Sequence, residues 1–205
     1  MTSSVIKYFI PNKILAFKES RASKDIYLTF DDGPTPIVTE QLLSLLSKYN
    51  IKATFFMIGS NIEKHPEIAK SVVDNGHSIG NHSLTHKEFP SLSFKQQVIE
   101  VEQTNKLIDS LKAFNKKLFR VPRGKWTIFI LFYCFISKIR AIHWSLDSND
   151  YQKSSINSLI NRLKNQPLKN GEIILFHDDH NLSIEILEVM IPIWLDANFK
   201  FRTLS

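Results

Sequence analysis

Tyr27-Leu28-Thr29-Phe30-Asp31-Asp32-Gly33-Pro34 is a short apolar run that stops at two adjacent carboxylates and a turn. β-Branched and aromatic residues closed by Gly-Pro read as a buried strand over Ile26 to Phe30. Two acids therefore sit at the C-terminal end of a strand. Neighbouring carboxyls raise each other's proton affinity unless a cation or a hydrogen-bond donor compensates, so the pair asks for a partner elsewhere in the chain.

Downstream, the pattern alternates. Pro36 with Val38, Leu42, Leu45, Leu46 and Tyr49 predicts an amphipathic helix ending near Asn50, followed by a strand over Ala53 to Ile58. Pro66 starts a second helix that Gly76 stops, and His77 to Asn81 is the third strand. Ser93 with Gln96 is a capping box for a long helix. Leu118 to Val121 is strand four, Thr127 to about Ile139 a helix, Ala141 to Leu146 strand five and Ser155 to Lys164 a helix. Ile173 to Phe176 is strand six, Ser183 to Asp196 the last helix and Lys200 to Leu204 the last strand. Seven strands alternating with helices imply a parallel sheet covered on both faces, open or closed into a barrel. In either form chemistry collects at the C-terminal strand ends.

The unusual polar residues fall at those ends: Asp31 and Asp32, His82 and His86, Arg120, Asp147 and Asp150, and His177 to Asp179. His82 and His86 stand four apart, which on one helical turn aims both imidazoles the same way; with one carboxylate of the Asp pair they make a two-His, one-carboxylate metal site with room for water. The other carboxylate is then free to act as a base. His177 leaves an apolar strand on the same rim and is a candidate general acid. Arg120 ends a buried strand and needs a carboxylate partner, for which Asp31 is the natural choice.

Composition sets the bounds. The chain has 205 residues, 43% hydrophobic and 22% charged, which suits one globular domain with a sizeable core. The net charge of +6 is spread out, with its densest part at Lys112 to Lys125, and no nucleic-acid motif accompanies it. A single cysteine, Cys134, excludes an intrachain disulfide and a cysteine-rich zinc site and reads as a buried hydrophobe. Ile128 to Ile136 is apolar but too short to span a bilayer; it reads as a buried helix flank, with a role at a membrane surface left open. Met1 to Phe17 lacks the basic start, continuous apolar centre and small-residue cleavage site of a signal peptide. The expected division is an N-terminal segment over residues 1–24 and one domain over residues 25–205.

In these motifs the chain resembles the polysaccharide deacetylase family, the NodB-homology or carbohydrate esterase family 4 domain. All five family motifs occur in order: Thr29 to Pro34, His82 to His86, Arg120 to Gly124, Asp147 to Tyr151, and Leu175 to Asp178. The resemblance implies an α/β fold, a distorted (β/α)7 barrel. It implies Asp31 as general base, with Asp32, His82 and His86 holding a divalent metal, usually Zn2+, with Co2+, Ni2+ or Mn2+ as substitutes. Arg120 would hold Asp31, Asp150 would orient His177, and His177 would be the general acid. Leu175 would line the acetyl pocket, and the backbone N–H of Arg123, after Pro122, would bind the oxyanion. The implied activity is hydrolysis of N-acetyl groups on N-acetylglucosamine-type glycans such as peptidoglycan or chitin-like oligosaccharide.

Two departures bear on substrate: Arg123 stands where the family commonly has an aromatic, and Tyr151 replaces a frequent tryptophan. With Lys125 nearby, Arg123 suggests an anionic substrate. Alternatives are a deacylase or deformylase of a lipid-linked amino sugar or other amide, and a catalytically silent carbohydrate-binding protein. The expected partner is an acetylated amino-sugar glycan, with no nucleic acid, membrane association left open and a monomeric chain; a cytoplasmic or membrane-associated location is favoured over secretion.

Overall fold

The structure is a computed structural model that describes residues 11–19, 24–112, 117–152 and 154–205. The first part of the Met1 to Phe17 reading, residues 1–10, lies outside the described residues. In chain order the elements are β1 (Leu15–Ala16), β2 (Asp25–Asp31), α1 (Val38–Lys48), β3 (Thr54–Met57), α2 (Gly59–Lys64), α3 (Pro66–Asp74) and β4 (Ser78–Asn81). Then follow α4 (Phe94–Ser110), β5 (Leu118–Phe119), α5 (Ile128–Ile136), β6 (Arg140–Ile142), β7 (Leu146–Asp147), α6 (Ile156–Asn165), β8 (Ile173–His177), α7 (Leu182–Asp196) and β9 (Lys200–Phe201). The capping box opens α4: Ser93 Oγ accepts from Gln96 N while Ser93 N donates to Gln96 Oε1.

The strands run parallel in the order β1-β6-β5-β4-β3-β2-β8-β7, with β9 added to β2. The α/β class holds, and the sheet is a curled, distorted barrel as expected. Its closure differs from the sequence reading. The expected strand Ala141 to Leu146 divides in two because the chain crosses there between the two ends of the sheet path. His143 N donates to Ala16 O and Ser145 N to Ile173 O, so β6 joins β5 and β1 while β7 joins β8. Beside this crossing, Lys18 bridges Glu172 antiparallel, and β1 adds a strand from within residues 1–24. Strands five residues or shorter at the rim end sooner than their apolar runs suggested: β5 stops at Phe119 and β9 at Phe201.

Strand alternation sorts the core and aims the site. Along β2 every residue is buried, with Ile26, Leu28 and Phe30 packed outward beneath α1, α6 and α7, and Tyr27, Thr29 and Asp31 on the inner face. On β8, Ile174 and Phe176 face the helices, leaving Ile173, Leu175 and His177 inward. Register pairs Tyr27 with Ile173, Thr29 with Leu175 and Asp31 with His177, so the barrel interior climbs from apolar to chemical across three layers.

The helix α5 corrects one expectation. Thr127 caps it, its Oγ1 accepting from Ile130 N at 3.2 Å, and Ile130, Leu131 and Cys134 are buried. Its other side is not: Ile128, Phe129, Phe132, Phe135 and Ile136 are exposed. A helix apolar all round buries only the side that meets its neighbours, here α4 and the sheet at β6, and leaves the other in solvent. Cys134 is the inert hydrophobe expected, its thiol pushed up to about 12 by burial.

Candidate active site

Asp31 ends β2 on the inner face, and an extended Asp32 would point away from it. Instead Asp32 has φ 81°, in the left-handed region that costs a non-glycine residue energy, and Asn61 Nδ2 holds its carbonyl at 2.8 Å. The distortion turns both carboxylates toward one cavity of about 450 Å³, lined also by His82, His86 and His177.

Asp32, His82 and His86 come together, their ligand atoms within 4.8 Å of one another. The helical turn expected for the histidine pair is absent: residues 82–86 form a loop in which Ser83 and His86 have φ 67° and 55°. The imidazoles still converge, with ring centroids 5.1 Å apart. His82 Nδ1 lies 2.8 Å from the carbonyl of Arg120; a carbonyl only accepts, so Nδ1 carries the proton and Nε2 presents its lone pair to the cavity. Burial lowers His82 to about 4 and lowers His86 too, so both rings are neutral at neutral pH. Burial, then Asp31 beside it, pushes Asp32 up to about 7. Asp32 Oδ1 is buried and accepts no hydrogen bond, although His86 and His82 Nε2 stand 3.1 and 3.4 Å away. Two neutral imidazoles and an unsatisfied carboxylate facing one point fit a divalent cation.

Arg120 follows β5 and is wholly buried, stacked 4.1 Å from the centroid of Phe56. It donates to Asp31 Oδ1 at 2.7 Å, Thr29 Oγ1 at 2.9 Å and the His143 carbonyl at 3.1 Å. Burial alone would raise the Asp31 carboxyl, but the Arg120 charge and hydrogen bond, together with His82 and His177, hold Asp31 below the usual carboxylate range. Asp31 is thus ionised, with Oδ1 committed to the guanidinium.

Across the cavity, His177 ends β8. Its Nδ1 lies 2.7 Å from Asp150 Oδ1 and its backbone N–H donates to Asp150 Oδ2 at 2.8 Å. Burial would lower the imidazole, but the Asp150 hydrogen bond and charge prevail and raise it to about 9, so the ring is protonated at neutral pH. Asp150 is itself buried and fixed by its N–H on Ser148 Oγ.

Leu175, Arg123 and Tyr151 line the same cavity. Tyr151 stands edge-on to His177, ring centroids 5.4 Å apart. Pro122 does not line it: it is buried at the start of the turn Pro122–Gly124 that swings Arg123 out at φ 55°. Arg123 and Lys125 share Glu88, at 2.6 and 2.7 Å, so one of the two charges is offset and the corner keeps a net positive charge. The sequence reading missed three contributors. Trp144 lines the cavity from the crossing segment, its ring tilted against that of His143 with centroids 4.0 Å apart. Glu100 on α4 accepts from Leu84 N, Thr85 N and Thr85 Oγ1, pinning the histidine loop. Arg162 on α6 donates to the carbonyls of Asp147 and Ser148, bracing the segment that carries Asp150. Glu100 and Arg162 do not show in sequence because they act mainly on backbone groups, and Trp144 does not because it enters the cavity from a crossing that the apolar run Ala141 to Leu146 conceals.

The family model for polysaccharide deacetylase matches residues 18–131. This chain belongs to the polysaccharide deacetylase family. A peptidoglycan-N-acetylglucosamine deacetylase of Bacillus cereus is 31% identical over 205 residues, covering 95% of this chain and 93% of the relative. A chitooligosaccharide deacetylase of Rhizobium leguminosarum bv. trifolii is 31% identical over 155 residues, 76% of this chain and 72% of the relative. Among solved structures, a peptidoglycan N-acetylglucosamine deacetylase in complex with 4-naphthalen-1-yl-N-oxidanyl-benzamide superposes with a TM-score of 0.88 at 28% identity, covering 100% of this chain and 95% of that one.

Proposed function

We propose that this chain is a hydrolase that removes N-acetyl groups from N-acetylglucosamine-type glycans, peptidoglycan or chitin-like oligosaccharide, with a divalent cation held by Asp32, His82 and His86. The observation that carries the reading is the opposition of an ionised carboxylate, Asp31, to a protonated imidazole, His177, across one cavity beside that ligand set. Zinc suits two imidazoles and a carboxylate, and when bound supplies Lewis acidity toward an amide carbonyl and toward water.

The residues do the rest. Asp31 accepts the proton of the water that attacks the acetyl carbon; Arg120 keeps its carboxylate oriented and ionised. With Nδ1 tied to Asp150, the His177 Nε2–H gives its proton to the departing nitrogen as the carbon–nitrogen bond breaks, leaving acetate and a free amine. Leu175 provides an apolar wall suited to the acetyl methyl. The Arg123 amide, which has no partner among the described residues, suits a developing oxyanion. The rings of Trp144 and Tyr151 offer stacking surfaces for a sugar.

The test is a panel of N-acetylglucosamine oligomers, peptidoglycan fragments and O-acetylated sugars, with acetate and new primary amine both measured. Matched release of acetate and amine, abolished by Asp31→Asn, is the expected result; acetate from esters alone overturns the amide assignment.

A further inference from the structure

The exposed side of α5 is the largest unpartnered apolar feature among the described residues. Ile128, Phe129, Phe132, Phe135 and Ile136 are 72, 62, 61, 67 and 56% exposed, and Phe94 at the start of α4 extends the face, its ring 6.1 Å from Phe129. Five bulky side chains on nine residues exceed the scattered apolar exposure ordinary for a soluble surface. The length excludes a span, and no helix among the described residues is long and apolar enough to cross a membrane.

What borders the patch favours one occupant. Lys95 follows Phe94, Lys125 precedes the helix and Lys138 follows it, all exposed. Lys125 shares Glu88 with Arg123, so its charge is partly offset, and Glu102, which accepts from Tyr133, keeps its negative charge at the edge of the patch; Lys95 and Lys138 are in no ion pair among the described residues and supply the positive border. The chain as a whole carries +6. Phenylalanines ringed by lysines match the interface of an anionic bilayer, where rings sit at the headgroup boundary and cations meet lipid phosphates. A second copy of this face would instead set the same cations against each other.

We propose that α5, with Phe94, is a docking surface that lays the protein on an anionic lipid bilayer. The turn Pro122–Gly124 that brings Arg123 to the cavity leads directly into this helix, so docking sets the cavity close to the headgroup layer. The inference stands on the patch and its charge, and does not depend on the reaction.

The experiment is co-sedimentation of the full chain with phosphatidylglycerol–phosphatidylcholine vesicles and with phosphatidylcholine alone. Partitioning to the anionic vesicles is expected, weakened as added salt screens the lysines. Phe132→Ser with Phe135→Ser should lower it about tenfold or more, since two rings lose their apolar refuge. Both residues are outside the buried side of α5, so the melting temperature and acetate release from soluble oligomers should stay unchanged. Lys95→Gln with Lys138→Gln should reduce the preference for the anionic vesicles. Absence of binding, or binding indifferent to the Phe substitutions, overturns the proposal. So does a concentration-dependent dimer dissociated by those same substitutions, which assigns the face to a second copy. Binding that appears only after removal of residues 1–10 also overturns it, by assigning the face to that segment.

Discussion

Replacing Arg120 by methionine keeps the bulk of the side chain beside Phe56 and removes the charge that sits 2.7 Å from Asp31. Asp31 is only 3% exposed, so water cannot take the place of the guanidinium. Breaking a buried pair in this way costs roughly 3–5 kcal/mol, because the remaining charge is uncompensated. At roughly 2–4 °C per kcal/mol for a chain of this size, the melting temperature should fall by about 6–20 °C.

The pH dependence fixes the cause. In the parent, the depressed Asp31 contributes stability that is present above the ordinary carboxylate value and lost as pH falls through its lower folded value. In the variant, burial without Arg120 raises the carboxyl, so protonation relieves it and the deficit is smaller at about pH 5 than at about pH 7. Combining Asp31→Asn with Arg120→Met removes the stranded charge, and the double variant should recover about 2 kcal/mol relative to additivity. Thermal unfolding followed by circular dichroism, at one fixed zinc concentration, reads all three. The reasoning is refuted if Arg120→Met costs under about 1 kcal/mol, or if its deficit is independent of pH and persists undiminished in the double variant.

Three further outcomes are expected. With His177 raised to about 9, kcat/KM should decline as pH rises through that value, and Asp150→Asn, by removing the charge that raises it, should move the decline toward neutral pH; an unmoved limb in the pH–rate profile would separate Asp150 from the acid. Glu100→Ala frees three donors of the histidine loop and should weaken zinc binding by about 10–100-fold in chelator competition, whereas unchanged affinity would show that the loop holds its shape without it. Gly33→Ala places a Cβ 2.0 Å from Asp178 Oδ2 and should destabilise by about 1–3 kcal/mol, with Asp178→Ala in the same chain restoring part of the loss; equal melting of parent and Gly33→Ala would contradict the packing.

The sequence exposed those features that depend on local pattern. Apolar runs that end abruptly on Asp31, Asp147 and His177 mark strand ends, and the parallel architecture places such ends on one rim. The Arg120–Asp31 pairing was legible because a buried guanidinium needs a carboxylate and few were within reach. Closure of the barrel was not. A two-residue strand such as β1 has no periodicity to detect, and the run Ala141 to Leu146 looks continuous although it serves both ends of the sheet. The spacing of His82 and His86 is compatible with a helix, yet Asn81 and Glu100 capture the loop's backbone donors and support a different turn that joins the rings. Composition identified α5 as apolar; which side of it finds a neighbour depends on tertiary packing, and only Ile130, Leu131 and Cys134 are fully buried, with Tyr133 packed at the edge.

The most direct test of the account is acetate release from N-acetylglucosamine oligomers by metal-stripped protein, with and without added zinc, beside His82→Ala. The account predicts little release from the stripped protein, recovery with zinc near one equivalent, and no recovery in the variant, whose cavity lacks one of the two imidazoles. Full activity after stripping, or zinc-restored activity in His82→Ala equal to the parent, would contradict the claim that Asp32, His82 and His86 hold the cation on which the chemistry depends.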